Sequence, residues 1–500
     1  MKTLFILFFS IPLLSACSGG ASKINGHPNI VYILADDMGY GDVSCFNENS
    51  QIHTTHMDRL ADQGMIFTDA HSNSAVCTPT RYGVLTGRYA WRTRLKDGVL
   101  WSYDEHLIAP ERMTVASLLK KKRYRTACIG KWHLGLDWEK DEEGRTLLTR
   151  PIKNGPNANG FDYFYGITAS LDIPPYLYIE NDRVTTVNID TVEATSGKGF
   201  WRKGPIGDDF KHIEVLPRLT DKAVGFINTQ SKQAEPFFLY FPLPAPHTPI
   251  LPTNEFRGKS GTNTYGDFVL MVDDVVGQVM AALDQNGIKD NTLIIVTSDN
   301  GCSPLADYNE LAEFGHDPSY IFRGHKADIF EGGHRVPFIA RWPAKITAGS
   351  ETDEIICLTD LMATCAAIVG VDLPDNAGED SYNMLPVLMG EKIAHPIREA
   401  TVHHSVNGSF SIRQGKWKLE FCPGSGGWSP PTPEVARQEN LPPIQLYNLV
   451  EDIGETNNLT QQNQQIVENL TALMKKYISD GRSTPGSAQK NEGETPLMMD

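Results

Sequence analysis

The chain has 500 residues, a formal net charge of −16 and eight cysteines, with a sequence pI near 5.4. That acidic balance argues against a nucleic-acid partner, which needs a basic face, but leaves room for a local cationic pocket that holds a small anion. At about 100–200 residues per domain, the length allows two or three units with real cores.

Residues 1–16 read as an export signal. Lys2 supplies the charged end, and residues 4–14 form an apolar run too short to span a bilayer. The segment ends in Leu14-Ser15-Ala16-Cys17, which resembles a lipobox. Cys17 is therefore the expected acylated first residue of an exported bacterial lipoprotein, periplasmic or held at the outer membrane or cell surface, with residues 17–27 as its tether. No C-x-x-C spacing occurs, so neither a zinc ribbon nor a thioredoxin-type motif is indicated, and disulfide pairing stays open.

Residues 29–34 (NIVYIL) are apolar at nearly every position, the pattern of a strand buried on both faces. They lead into Asp36 and Asp37. Paired carboxylates at a strand end suit a cation; an acidic turn is the alternative. His53 and His56 precede a helical pattern and read as its cap region, not as metal ligands.

Cys77-Thr78-Pro79-Thr80-Arg81 opens a predicted short amphipathic helix with Pro79 at its first position. Cys77 then sits where free N–H groups and the positive helix end gather an anion, with Arg81 one turn further in. Continued to Arg88, the string C-T-P-T-R-(x)3-L-T-G-R resembles the signature of the type I sulfatases. The resemblance implies that a formylglycine-generating enzyme converts Cys77 to formylglycine, whose hydrate is the nucleophile.

Residues 114–122 predict a helix with Thr114 as N-cap, and residues 125–130 a second strand. Lys131-Trp132-His133 follows and resembles the family's G-K-W-H-L-G motif; in an extended segment Lys131 and His133 share a face. Residues 160–172 also resemble the family, and Ser170 matches a serine that helps hold sulfate in some members; a plain loop hydroxyl is the alternative. Residues 236–243 (PFFLYFPL) form a third run that ends at His247, held between Pro246 and Pro249 in a stiff turn. Apolar positions 268, 272, 275, 276, 279, 280 and 283 predict an amphipathic helix over 267–284. Residues 292–297 (TLIIVT) form a fourth strand, ending at Asp299 and Asn300.

Four strand-like runs thus end in polar groups, and in open α/β sheets sites lie at the carboxyl ends of strands. The expected fold is α/β: a large mixed, mostly parallel sheet sandwiched by helices over 28–375, with a smaller C-terminal α/β subdomain over 376–480. The overall pattern resembles the alkaline phosphatase superfamily. Residues 481–500, rich in Gly, Pro and Ser, are expected to be disordered. Segment 323–337 resembles the sulfatase pattern G-x-K-(x)4-E-G-G-x-R-V-P and matches Lys326 to its catalytic lysine; Glu331 and Arg335 read as a structural pair.

Asp36, Asp37, Asp299 and Asn300, with the modified Cys77, make a hard oxygen shell for Ca2+, with Mg2+ as the alternative. Arg81, Lys131 and Lys326 neutralise sulfate. The resemblance implies that His247 or Lys326 protonates the leaving alcohol and that His133 receives a proton from the nucleophile's remaining hydroxyl. In the C-terminal unit His403, His404 and Trp428 are expected sugar contacts, with packing as the alternative. The expected substrate is a sulfated saccharide, of galactose or N-acetylgalactosamine type, or an aryl sulfate. Two other readings stay open: a phosphonate monoester or phosphodiester hydrolase with the same nucleophile, and a non-enzymatic glycan-binding lipoprotein whose Cys77 is never converted.

Overall fold

The structure is a computed structural model and describes residues 26–498; the export signal, Cys17 and most of the tether lie outside the described residues. Ten strands form the main sheet. In chain order they are β1 (Asn29–Asp36), β2 (Met65–Phe67), β3 (Arg125–Lys131), β4 (Tyr163–Ile167), β5 (Ile179–Glu180), β6 (Arg183–Val184), β7 (Phe237–Pro246), β8 (Thr292–Ser298), β9 (Phe338–Arg341) and β10 (Ser350–Thr352). Their spatial order is β10-β2-β9-β8-β1-β7-β3-β4-β5-β6. The five central strands, β8-β1-β7-β3-β4, run parallel, and antiparallel pairings begin at β9 and β5.

The apolar runs are strands because both faces of the sheet are covered. In β1, Val31, Ile33 and Ala35 enter one core while Ile30, Tyr32 and Leu34 enter the other. β7 divides the same way, with Leu239 and Phe241 on one side and Phe238 and Tyr240 on the other. Helices α1 (Thr55–Asp62), α4 (Val215–Gln230) and α5 (Thr264–Gln285) cover the first face. Helices α2 (Cys77–Thr86) and α3 (Val115–Lys121), with Leu361–Ile368, cover the second. Thr114 caps α3 as expected, accepting from the Ser117 N–H at 3.0 Å. The α5 helix starts three residues before the expected point because Asn263 caps it, accepting from the Tyr265 and Gly266 N–H groups. His53 and His56 do lead into α1, but its cap is tertiary: the Asp273 carboxylate accepts from the N–H groups of His56 and Met57.

The smaller unit is a four-stranded antiparallel sheet, Thr401–His404, Phe410–Gln414, Trp417–Glu420 and Gln445–Asn448, in sequential order. Helix Gln464–Asp480 packs on it through Leu470, Met474 and Tyr477, in one core with Tyr89 and Trp91 from the larger unit. The loop-like stretch near 375–379 leads into an ion-paired seam: Glu379 binds Arg88 and Arg112, and Asp380 binds Arg92. Residues 481–498 depart from the expected disorder. Their backbone is tied to the body, with Lys490 O accepting from Arg88 Nη2 at 2.6 Å and Glu492 N donating to Arg92 O at 2.8 Å. Composition hides such contacts because their partners lie some 400 residues away. The seven cysteines of the described residues are all free.

A buried polar junction joins the two units. Glu331 accepts from Arg335 Nε at 3.0 Å, as the expected structural pair, and lies 3.2 Å from Lys418 Nζ of the small sheet. Lys418 also donates to Glu455 at 2.7 Å. His71, His334 and His403 meet beside this network, with the His334 and His403 rings stacked at 3.8 Å. Arg413 and Lys418 each approach a ring nitrogen of this trio at 3.1 Å, so the cluster already faces cations and is a poor metal site.

Burial makes these histidines a pH liability. It pushes His71 and His404 down to about 4, and holds His334 and His403 well below the usual 6.5. Between those values these histidines bind protons in the unfolded chain and refuse them in the folded one, so their share of the stability falls as pH drops below about 6.5, while the raised Asp299 carboxyl counts in the opposite direction. Each such residue contributes about 1.4 kcal/mol per pH unit. The expected result is that the melting temperature of His404→Phe falls less between pH 7 and pH 5 than that of the wild type; an identical pH dependence would contradict the neutral, buried state of this ring.

Candidate active site

The sheet order converts four separate sequence motifs into one site. Asp36 and Asp37, Lys131 and His133, His247, and Asp299 and Asn300 stand at the carboxyl ends of β1, β3, β7 and β8, which lie side by side as β8-β1-β7-β3. All run parallel, so all four ends emerge on one edge. Helix α2 brings Cys77 and Arg81 to the same edge, and the loop carrying Lys326 is held there by Lys326 N donating to Cys302 O at 2.9 Å.

Helix α2 begins at Cys77, so Pro79 is its third residue and not its first. The substitution of Pro there costs nothing in the ladder, because the first four N–H groups have no intrahelical partner. The helix is also not amphipathic: all ten residues are buried, since it lies between the sheet and its neighbours. Cys77 is 3% exposed. Burial pushes its thiol pKa up against the opposing charges of Lys131 and Lys326, so the unmodified thiol is a poor thiolate.

The charged groups form a connected chain. Asp299 Oδ2 accepts from Arg81 Nε at 3.0 Å and from Nη2 at 2.7 Å. Asp36 Oδ2 accepts from Lys131 Nζ at 2.6 Å, while Asp36 Oδ1 lies 3.4 Å from Arg81 Nη2. Lys326 Nζ lies 2.8 and 2.7 Å from the two Asp37 oxygens, and Asn300 Nδ2 donates to Asp37 Oδ1 at 2.7 Å. Burial works to raise Asp36, but Lys131, His247 and Arg81 outweigh it and hold the carboxyl well below the ordinary range. Asp299 goes the other way, pushed up to about 7 by burial and by the neighbouring Asp36 charge.

Two observations bear on a metal. Asp36, Cys77 and Asp299 offer ligand atoms within 4.8 Å of one another, as do Asp36, Asp37 and His247. Asp36 Oδ1 and Asn300 Oδ1 are buried and accept no hydrogen bond among the described residues. Crowded carboxylates with spare oxygens fit a hard divalent cation of the Ca2+ or Mg2+ kind.

Both histidines have assignable tautomers. His133 Nε2 is 2.8 Å from the Leu100 carbonyl, which only accepts, so Nε2 carries the proton and the buried Nδ1, without a partner among the described residues, is a free base. Burial, then the Lys131 and Arg81 charges, holds the ring well below 6.5 and therefore neutral. His247 donates from Nδ1 to Thr248 O at 2.5 Å and turns Nε2 toward Asp37, 3.6 Å away. Strain gathers at the same places: Asp37 and His133 have φ of 66° and 57°, and Ala327, beside Lys326, has 81°.

The expected sugar contacts separate. His403 belongs to the buried junction described above, bonded to Ser411 Oγ at 3.1 Å, and is not a surface contact. His404 is fully buried; its carbonyl accepts from Ala75 N at 3.0 Å, near Cys77, while its ring nitrogens have no partner among the described residues. Trp428 is 48% exposed, so it is not packed core. Its backbone N–H donates to Asp328 Oδ1 at 2.7 Å, which ties this loop to a residue two positions from Lys326. Gly427 permits this approach, since a Cβ there would lie 2.4 Å from Ala327 O. Ser170 is buried beyond β4, with no hydrogen bond from its hydroxyl to the charged cluster.

Sequence reading missed Leu100. Its N–H donates to Thr78 Oγ1 at 3.2 Å while its carbonyl fixes His133, so it couples the Cys77 helix to the base. It acts through backbone atoms, which leave no mark on residue type.

The Sulfatase family profile matches residues 28–371. An N-acetylgalactosamine-6-O-sulfatase of Bacteroides thetaiotaomicron is 35% identical, with 95% of this chain and 98% of that protein aligned. Human arylsulfatase A is 32% identical over 94% of this chain and 92% of its own length. A solved sulfatase structure from work on glycosaminoglycan metabolism by Bacteroides thetaiotaomicron superimposes with a TM-score of 0.80 at 33% identity, covering 90% of this chain and 99% of that one. Four neighbouring strand ends, a Cys-Thr-Pro-Thr-Arg helix and relatives matched almost end to end agree: the chain belongs to the sulfatase family, the sulfuric ester hydrolases.

Proposed function

We propose that this protein removes sulfate from a sulfated glycan, at the 6-O position of an N-acetylgalactosamine-type residue, with a nucleophile made from Cys77. The observation that carries this reading is the cationic trio Arg81, Lys131 and Lys326 gathered on buried carboxylates around Cys77. The near full-length likeness to an N-acetylgalactosamine-6-O-sulfatase supports the choice of sugar.

Converted to formylglycine, Cys77 would supply a hydrated aldehyde oxygen as the attacking group, and a divalent cation on Asp36, Asp37, Asp299 and Asn300 would polarise the sulfate. The chain's own residues do the rest. Arg81, Lys131 and Lys326, fixed by their carboxylate partners, hold the sulfate oxygens and offset charge that develops on them. His133 is neutral with Nδ1 bare, so it accepts a proton and cannot donate one. His247 is oriented by its Nδ1 hydrogen bond to Thr248 O and presents Nε2, beside Asp37, as the group that protonates the leaving alcohol. Lys326, its pKa raised by Asp37 and Cys77 against burial, remains an ammonium and serves as a fixed charge.

His133→Ala is expected to lower kcat by about 10²–10⁴-fold, the usual range for a lost acid–base group, and to abolish the acid limb of the kcat/KM profile. Retention of that limb would assign it to another group. A panel of defined sulfated monosaccharides tests the substrate, with fastest release expected from the 6-sulfated amino sugar. Faster cleavage of phosphonate or phosphate diesters than of every sulfate ester would contradict the reading. Trp428→Ala should reduce efficiency on the saccharide far more than on an aryl sulfate. An equal loss on both at unchanged melting temperature would remove Trp428 from sugar recognition. Cys17→Ser, expected to lose a lipid anchor, should shift the protein from the membrane to the soluble fraction.

A further inference from the structure

A groove of about 590 Å³ opens beside the catalytic edge, lined by Lys198, Phe200, Leu305, Asp307, Tyr308 and His325 among others. Its volume lies in the usual range for a small-molecule site, about 300–1,000 Å³. Each wall is near a residue of the charged site in the chain or through a hydrogen bond. His325 directly precedes Lys326 and donates from Nδ1 to the Lys326 carbonyl at 2.9 Å, which leaves Nε2 free to bond a ligand. Leu305 follows Asn300 by five residues and is 51% exposed. Lys198 O accepts from Ile250 N at 2.8 Å, three residues beyond His247.

The groove's chemistry is that of a sugar site. Apolar faces come from Phe200, Leu305 and Tyr308, with the Tyr308 and His325 rings 5.7 Å apart. The aromatic wall continues outward: the Arg202 guanidinium lies 5.0 Å from the Phe200 ring and 5.0 Å from that of Trp101, which is half-exposed and follows Leu100, the residue that fixes His133. Flat rings with a few hydrogen-bonding groups suit a pyranose. The charge balance narrows the choice. Lys198 is bonded to Glu310 and lies 3.6 Å from Asp307, so two carboxylates face one ammonium. Arg202 is itself paired with Asp172, so among the described residues no unpaired Lys or Arg lines the groove for a second sulfate or a uronate, and like charge disfavours both.

Building on the glycan reading above, we propose that this groove is a second saccharide subsite, which takes a neutral sugar joined to the sulfated residue. The enzyme therefore acts on oligosaccharides in preference to monosaccharides, and on chains of neutral sugars in preference to uronate-containing ones.

The test measures kcat/KM for sulfate release from a sulfated monosaccharide, from its disaccharide with a neutral hexose, and from its disaccharide with a hexuronic acid. The neutral disaccharide should exceed the monosaccharide by about tenfold or more, equivalent to about 1.4 kcal/mol, and the hexuronate disaccharide should show no such gain. Phe200→Ala and Leu305→Asp should each bring the neutral disaccharide to within about twofold of the monosaccharide while leaving monosaccharide turnover unchanged; Leu305 is a surface position, so this variant is informative even if Phe200→Ala folds poorly. Glu310→Gln should raise activity on the hexuronate disaccharide selectively. Equal efficiency of wild type on the monosaccharide and the neutral disaccharide, or a gain that survives both substitutions, would overturn the subsite. A hexuronate disaccharide that outruns the neutral one would overturn its neutral-sugar assignment. Loss of all three activities with aryl sulfate still cleaved would instead overturn the glycan reading, and the subsite with it.

Discussion

Cys77→Ala is expected to lower sulfate-ester turnover by about 10⁵-fold or more, the scale of removing a nucleophile from a site whose groups act as a unit, with thermal unfolding nearly unchanged. The structure separates the two effects. Cys77 sits at the start of α2, makes no side-chain hydrogen bond among the described residues, and contributes little volume. Helix α2 itself is held by other groups: Thr80 Oγ1 donates to Ser74 O at 3.0 Å, and Gly87, in the left-handed conformation, closes the far end on Gly83 O at 2.8 Å. Cys77→Ser is conditional, because it restores activity only with a converting enzyme that accepts serine. Kinetics on an aryl sulfate, paired with a melting scan, read both quantities. Residual activity near wild type would move the nucleophile elsewhere.

Asp299→Asn is expected to weaken divalent-cation affinity by about 10²-fold or more, because a hard-cation site depends on ligand charge, and to remove most activity at micromolar cation. Asparagine keeps the shape and still accepts from Arg81 Nε and Nη2, so the substitution changes charge more than packing. Removal of the side chain would do more harm, leaving the fully buried Arg81 guanidinium short of its closest partner. Calorimetric titration of the chelated protein with Ca2+ and with Mg2+ measures the loss directly. Unchanged affinity would exclude Asp299 as a ligand.

The site was legible where chemistry coincides with strand ends. NIVYIL-Ala35-Asp36-Asp37 and TLIIVT-Ser298-Asp299-Asn300 each carry the strand and its functional terminus in one short run, and the parallel register of Ala35 with Ser298 turns that local coincidence into contact. The central sheet was legible for the same reason: both of its faces are buried, so its strands are apolar at nearly every position. The start of α2 was displaced because Pro79 is tolerated anywhere in a helix's first turn, and its full burial was hidden because a ten-residue helix shows its neighbours only in the folded chain. His403 and Trp428 looked alike in sequence, yet one is sealed in the inter-unit junction and the other is half-exposed, tied by its backbone to Asp328. His403 lies in a strand of the small sheet, whereas Trp428 stands in an irregular loop. The tail over 481–498 misled for a related reason: its small polar residues are held by buried Arg88 and Arg92, whose need for acceptors no local composition reveals.

The most direct test is mass spectrometry of the peptide that carries Cys77, taken from protein purified from its native source and assayed for sulfatase activity in the same preparation. Formylglycine is expected at position 77, in a fraction that tracks specific activity. An intact cysteine at that position in a fully active preparation would contradict it.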